Sequence, residues 1–517
     1  MRLPLLAATF AFAALTILAT AAAGQGPTVD TTGAGLLIDE ALNRSEVMQN
    51  LQYLTDVIGP RLTGSPAARR ANDWTLERFR AYGLEGRLEP WRFGGTWTRG
   101  PTRVRLTAPR AHDVTAASWA WAPGTGRDGA GAAVNGPIVR INATTPDSFA
   151  AHRGRVKGAW VMTRAPSFVW NGDGPPMTAA DSQQQRDFLR TAFAPFRDAD
   201  SVTRAHMQQF ANDVPYLLRR AGALGIVLDA GKEQALLNMS GSPNRILPLP
   251  QIVVAHEDYA MFDRLLQAGT TPRLAVNITN TLTRDSVPQW NTVAEMRGSE
   301  LPGQVVIVGA HLDSWDLGTG TTDNGTGAMC TLEAARVIAR SGLKPKRTIR
   351  FVLFTGEEQG LIGSKKYAEA HAAEADSIQA VIVLDNGTGA ITGQALQGRT
   401  DLEGLWRALL APVARLGADS VVNRNKGGTD HLSFLPYGVP GFNFNQLERG
   451  YGHTHHSQSD TYDKAITADL TQASAVMAVA AYELANLSGM IPRGERTPAT
   501  PVQAVKVSDS LLVRGTR

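Results

Sequence analysis

The stretch QVVIVGAHLDSWDLGTGTTDNGTGAMC, Gln304 to Cys330, decides the fold. Its opening run, VVIVGA, is uninterrupted and apolar, the length of one buried strand and too short for a helix. The run stops on His311, with Asp313 two residues later and Asp323 in a Gly/Thr loop. After the loop, GAMCTLEAARVIARSG returns to apolar residues at helical spacing. Strand, polar loop and helix form the repeating unit of a parallel α/β sheet. Ionisable groups at the end of a core strand need a partner, because burying them alone is costly.

The same unit recurs downstream. TIRFVLFTG ends on Glu357 and Glu358 and leads into LIGSKKYAEAHAAE, IQAVIVLD ends on Asp385, and GVPGFNFN adds another strand. This alternation predicts an α/β fold: a mostly parallel mixed sheet with helices on both faces. Parallel strands deliver their C-terminal ends to one edge, where open sheets bind ligands. His311, Asp323, Glu357, Glu358 and Asp385 are therefore expected to converge.

Several carboxylates in one cleft oppose one another's ionisation unless cations lie among them. A His/Asp/Glu set without Cys suits catalytic zinc. One zinc takes about three protein ligands, so this many candidates point to two metals sharing a carboxylate. Glu357 and Glu358, adjacent at a strand end, project in different directions. One can bind metal while the other acts as a base. Each residue alone also has a structural explanation: Asp323 as a helix N-cap, the two glutamates at a helix N-terminus, Asp385 as a turn cap, His311 as a satisfied core histidine. Their recurrence at successive strand ends argues against caps. So does a later histidine group, His431, His453, His455 and His456.

The chain has 517 residues, enough for two or three domains. With 43% hydrophobic and 19% charged residues and a net charge of +4, it has an ordinary globular composition. No Lys/Arg block or basic-aromatic interleaving occurs, which argues against nucleic acid as a partner. Residues 1–23 read as a signal peptide, one Arg ahead of an apolar run that ends in Ala21-Ala22-Ala23. An uncleaved anchor is the alternative for that segment. Cleavage implies a secreted or periplasmic protein without stable membrane insertion. The single cysteine, Cys330, excludes an intramolecular disulfide and is expected in the core. Residues 24–124 read as a first part of the catalytic domain. GPIVRI, GAWVMT, GIVLDA and LPQIVVA mark a smaller α/β insert at 125–282, the catalytic domain resumes at 283–488, and 489–517 is a Pro-rich tail.

GAHLDSWDLGTGTTDNGTGA, FTGEEQGLIGSKKY, LDNGTG, GTDHLSFLPYGVPG and HHSQSDTYD, with IGPRLTGSPAARRANDW and GLEGRLEPW upstream, resemble the M28 family of zinc exopeptidases. The likeness is to its carboxypeptidase Q-like branch and covers about 45 to 485. It implies the zinc exopeptidase fold with two zinc ions per chain, and identifies the insert as similar to a protease-associated domain. By the family pattern, His311 and Asp385 would bind one zinc, Glu358 and His456 the other, and Asp323 both. Glu357 would be the general base, and Asp313 would hold the second imidazole nitrogen of His311. Among the three neighbouring histidines, only His456 fits the family's His-Ser/Thr-x-x-acid-Thr pattern, as HSQSDT. A cis peptide between Asp323 and Asn324 is also implied. His455 is a candidate donor to an oxyanion by its position alone.

The implied reaction is hydrolysis of terminal peptide bonds in small peptides or dipeptides. An aminopeptidase needs an acidic group for the substrate ammonium, and a carboxypeptidase needs Arg or Lys. Glu448, Arg449 and Lys426 lie near the motifs and leave the choice open, with an aminopeptidase or dipeptidase favoured. Glutaminyl cyclase and a non-catalytic binding protein of this fold are the other readings. Members of the family often form homodimers.

Overall fold

A computed structural model describes residues 28–497 and 506–512, apart from 30, 127–128, 168–177 and several positions between 181 and 196. The expected signal peptide lies outside the described residues. Two eight-stranded sheets organise the chain.

The first sheet runs in the order 85–93, 287–296, 347–354, 301–311, 378–383, 441–446, 391–395, 420–422. Its centre is parallel: Leu301–His311 pairs with Arg347–Phe354 on one side and Ile378–Val383 on the other, and Ile378–Val383 with Gly441–Gln446. The flanking strands Glu85–Phe93 and Val287–Met296 are antiparallel. Strand alternation explains why both faces are covered. Val306 and Val308 join Ile349, Phe351 and Leu353 on one face, under the helices Thr326–Ser341 and Thr467–Asn486. Val305 and Ile307 join Val352 and Phe354 on the other, against Tyr367 and Ala368 of helix Ile362–Ala370. Each such side chain, fully buried, contributes roughly 1.5–3 kcal/mol. Thr467–Asn486 is buried on nearly every side. Cys330 is in this core, and burial pushes its thiol up to about 12, so it stays protonated.

The second sheet runs 112–113, 102–108, 273–278, 134–140, 160–162, 225–229, 251–254, 116–118. It begins upstream of the boundary expected at residue 125. Thr102–Ala108 pairs antiparallel with Arg273–Ile278, Val104 opposite Val276, so the returning strand draws this earlier segment into the second unit. Its centre, from 134–140 to 251–254, is parallel. It carries a separate core that includes Leu106, Ile138, Trp160, Ile252, Phe262 and Leu274. Among the described residues, no helix is long and apolar enough to cross a membrane.

Candidate metal centre

The three central strands of the first sheet end at one edge. Leu301–His311 closes on His311, two residues past Phe354 lie Gly356 and then Glu357 and Glu358, and Asp385 follows Ile378–Val383. Asp323 comes from the turn before helix Thr326–Ser341, across a cis peptide to Asn324. The turn is tight enough to require glycine beyond it: a Cβ on Gly327 would lie 2.2 Å from the Leu384 carbonyl.

Asp323 is central, and its two oxygens face different groups. Oδ1 lies 3.3 Å from Nε2 of His311, which is also 3.4 Å from Asp385. Oδ2 lies 3.3 Å from Nε2 of His456, which is 3.0 Å from Glu358. Glu357 approaches His311 at 4.0 Å. His455 stacks on His456 with centroids 3.8 Å apart and comes only to 3.8 Å of Asp323. Trp315 packs edge-on against His456.

Three buried atoms here have no hydrogen-bond partner among the described residues: His311 Nε2, Asp323 Oδ2 and Glu358 Oε1. Buried polar atoms are normally paired. Dications with nitrogen and oxygen ligands would satisfy these atoms, and the sulfur-free donor set fits zinc. The ligand atoms of His311, Asp323 and Asp385 lie within 4.8 Å of one another, as do those of Asp323, His455 and His456.

The ionisation states follow from burial and neighbours. Burial holds both Glu357 and Glu358 well above the usual carboxylate range, and nearby carboxylates push the same way against His311. Burial works against a charge on His311, but Asp385 and Glu357 overcome it and hold the imidazole well above its ordinary value. Burial would raise Asp323, yet His311 and His456 keep it far below the carboxylate range.

Asp313 stands beside the second imidazole nitrogen of His311, its main chain nearer than its carboxylate. The Nδ1 of His311 meets the main-chain carbonyl of Asp313 at 3.0 Å, while the carboxylate stands off at 3.6 Å. The carboxylate instead accepts from the Thr63 hydroxyl at 2.7 Å and from the N–H groups of Glu357 and Glu358 at 3.3 and 3.4 Å. It ties the ends of the two neighbouring strands together.

Other supports escaped sequence reasoning. Arg61 is fully buried and donates to the carbonyls of Leu312, Thr319 and Gly320 at 2.7, 2.8 and 2.6 Å, spanning the loop between His311 and Asp323. Burial lowers it to about 10, with Asp460 and Asp313 opposing, so it stays charged at neutral pH. Asp460 accepts from the N–H groups of Thr322 and Asp323 at 2.6 and 3.2 Å. It is the acid of HSQSDT, as Arg61 is the arginine of IGPRLTG; both stretches carry the family likeness, but neither shows what its residue contacts. Tyr451 lines the cleft, and burial beside several carboxylates keeps its phenol protonated.

The cleft has a volume of about 410 Å³ and is walled by Asp323, Glu357, Gly427, Gly428 and Tyr451 among others, with no Lys or Arg among the described residues lining it. The nearby cations are engaged elsewhere: Arg449 pairs with Asp469 at 2.8 Å, and Lys426 donates to the Phe444 carbonyl at 2.6 Å. Glu448 accepts from the Tyr451 N–H at 2.7 Å.

Comparison with known proteins agrees with this geometry. Residues 291–482 match the model of Peptidase family M28. Carboxypeptidase Q of Rattus norvegicus is 30% identical over 452 residues, 87% of either chain. The crystal structure of a Peptidase M28 precursor from Shewanella amazonensis superposes with a TM-score of 0.70 at 25% identity, covering 90% of this chain and 98% of that one. BSAP, a zinc aminopeptidase from Bacillus subtilis, shares the fold at a TM-score of 0.58 and 17% identity, over 88% of this chain and 96% of its own. With its ligand-type residues gathered at one sheet edge and this likeness along most of its length, the chain belongs to peptidase family M28.

Proposed function

We propose that this protein is a two-zinc exopeptidase that removes N-terminal residues from small peptides or splits dipeptides. The observation that carries this reading is Asp323, set with one oxygen toward His311 and Asp385 and the other toward His456 and Glu358. His311, Asp385 and Asp323 would hold one zinc, and Glu358, His456 and Asp323 the other. Zinc, when bound, supplies Lewis acidity toward the scissile carbonyl and makes water easier to deprotonate.

Glu357 takes the proton from the attacking water and returns it to the leaving amine. Its raised affinity for protons suits it to hold that proton between the two transfers. Tyr451 keeps its hydroxyl proton and offers a donor for the developing oxyanion. Asp313 fixes Glu357 relative to Glu358 through their N–H groups. The second-sheet unit, similar to a protease-associated domain, borders this site.

An N-terminal preference is supported by walls that, among the described residues, carry carboxylates and histidines but no Lys or Arg. The wall carboxylates are already assigned to zinc and to the base, so the support lies in what a substrate carboxylate would lack there, the cation it needs. The name of the rat relative favours the opposite reading, a carboxypeptidase.

Metal content, measured beside hydrolysis of dipeptides blocked at either end, tests these readings. About two zinc per chain, with cleavage lost only on N-terminal blocking, is the result expected of an aminopeptidase. Loss on both blockings identifies a dipeptidase, and loss only on C-terminal blocking a carboxypeptidase. One zinc and cyclisation of N-terminal glutamine would replace the proposal with a glutaminyl cyclase. No metal and no turnover after zinc reconstitution would leave a binding protein.

A further inference from the structure

His456 is reached by a loop that the first sheet does not hold by itself. The segment after strand Gly225–Asp229, on the second sheet, runs alongside it. Lys232 donates from Nζ to the main-chain carbonyls of Gly452, of His455 at 2.8 Å and of His453 at 3.4 Å. The Met239 N–H donates to the carbonyl of His456 at 3.0 Å. The Leu237 N–H donates to the Gln458 side chain at 2.8 Å, and the Gln458 amide returns a bond to the Ala235 carbonyl at 3.0 Å.

Both sides of this contact hold backbone that L-residues rarely adopt. His456 has φ +58°, and Gln234 and Ala235 have φ +61° and +54°. Such conformations are strained and persist only where surrounding contacts hold them. A lysine ammonium has three N–H groups and no acceptor. Here all three are directed to carbonyls of the loop, so Lys232 has no donor left for a substrate. Its position bears on where the loop's main chain lies.

We propose that Lys232 is a positioning residue, a cation supplied by the second-sheet unit that fixes the 452–456 main chain so that His456 faces Glu358 and Asp323. The metal centre is then completed by both units of the chain. This inference rests on the two-zinc reading above. Lys232 touches neither substrate nor metal, and acts through His456. Its loss weakens the zinc held by Glu358 and His456 and leaves the one held by His311 and Asp385 unchanged. Outer partners of metal ligands typically govern affinity by 10–100-fold.

The test uses the full mature chain as wild type, Lys232→Met and Lys232→Arg. Each is stripped of metal, checked by thermal unfolding, and titrated with zinc against a chromogenic chelator. The expected result is two tight zinc sites in the wild type and one tight site in Lys232→Met. The second should be weakened about 10–100-fold, with metal-free Tm near that of the wild type and affinity partly restored in Lys232→Arg. Equal affinities in wild type and Lys232→Met would overturn the proposal. So would equal weakening of both sites with a matching fall in metal-free Tm, which marks a purely structural role. Should Lys232→Met yield no soluble chain, Lys232→Gln takes its place, and failure of both to fold also counts against positioning. A wild type that binds no zinc and cleaves nothing would overturn the functional reading and this one together, an outcome distinct from the others.

Discussion

Both sheets bring parallel strands to a common C-terminal edge, and both place a carboxylate and a histidine there. On the second sheet these are Asp229 and His256. Asp229 accepts from the N–H groups of Ser167 at 2.7 Å and Gly231 at 2.9 Å, and meets Nδ1 of His256 at 3.1 Å. Both its oxygens are satisfied within the protein. On the first sheet, His311 Nε2, Asp323 Oδ2 and Glu358 Oε1 are buried without partners among the described residues. The same place in a sheet thus serves two ends. A carboxylate whose acceptors are filled by N–H groups pins a loop, whereas a cluster with unfilled acceptors needs a cation from outside.

The sharpest way to break this comparison is to remove the groups at the first edge. Asp323→Ala should abolish turnover and metal binding together, since this residue faces both ligand groups. Glu357→Gln should lower kcat about 10²–10⁴-fold, the usual contribution of a general base, with zinc content unchanged by elemental analysis. Zinc lost equally from both variants would erase the distinction between base and ligand.

Arg61 is next in expected size. Arg61→Met strands the carbonyls of Gly59, Leu312 and Thr319, while Gly320 keeps the Gly325 N–H, and each carbonyl left unpaired costs about 1–3 kcal/mol. A loss of about 3 kcal/mol or more is expected in urea unfolding of the zinc-free protein. A change below about 1 kcal/mol would show that water replaces the guanidinium.

His431 gives a pH-dependent test. It is buried, and burial lowers its imidazole to about 4. Between the ordinary value near 6.5 and about 4, the unfolded chain binds a proton that the folded chain refuses. Stability is therefore full above pH 6.5 and falls as pH drops through this window, by about 3 kcal/mol in total. Zinc-free wild type and His431→Gln, unfolded in urea from pH 7 to pH 4, should diverge by that amount. A constant difference would mean that His431 does not titrate as its burial requires.

The smallest effect belongs to the second edge. Asp229→Asn should cost about 1–2 kcal/mol, because charged acceptors are being exchanged for a neutral one, and should leave zinc content and kcat unchanged. A loss of metal on this substitution would make the two edges one functional site and end the contrast.

What the sequence determined by itself was the strand framework and the residue types at its ends. VVIVGA, IRFVLFTG and AVIVLD are apolar runs that stop on ionisable residues, and parallel strands must share an edge. The strand ends alone predict that His311, Glu357, Glu358 and Asp385 share one edge, and only the resemblance to the family pattern, as HSQSDT, singles out His456 beside His453 and His455. Tertiary structure alone decided what holds them. Arg61 and Lys232 act on main-chain carbonyls, and every residue has a carbonyl, so no pattern of residue types marks such a contact. The same holds for His311, whose imidazole meets the carbonyl of Asp313 rather than its carboxylate. The start of the second sheet near Thr102 was also out of reach, because Thr102–Ala108 joins it only through Arg273–Ile278, some 170 residues later. Local pattern reports burial and period, while pairing over such distances is settled by which surfaces the folded chain brings together.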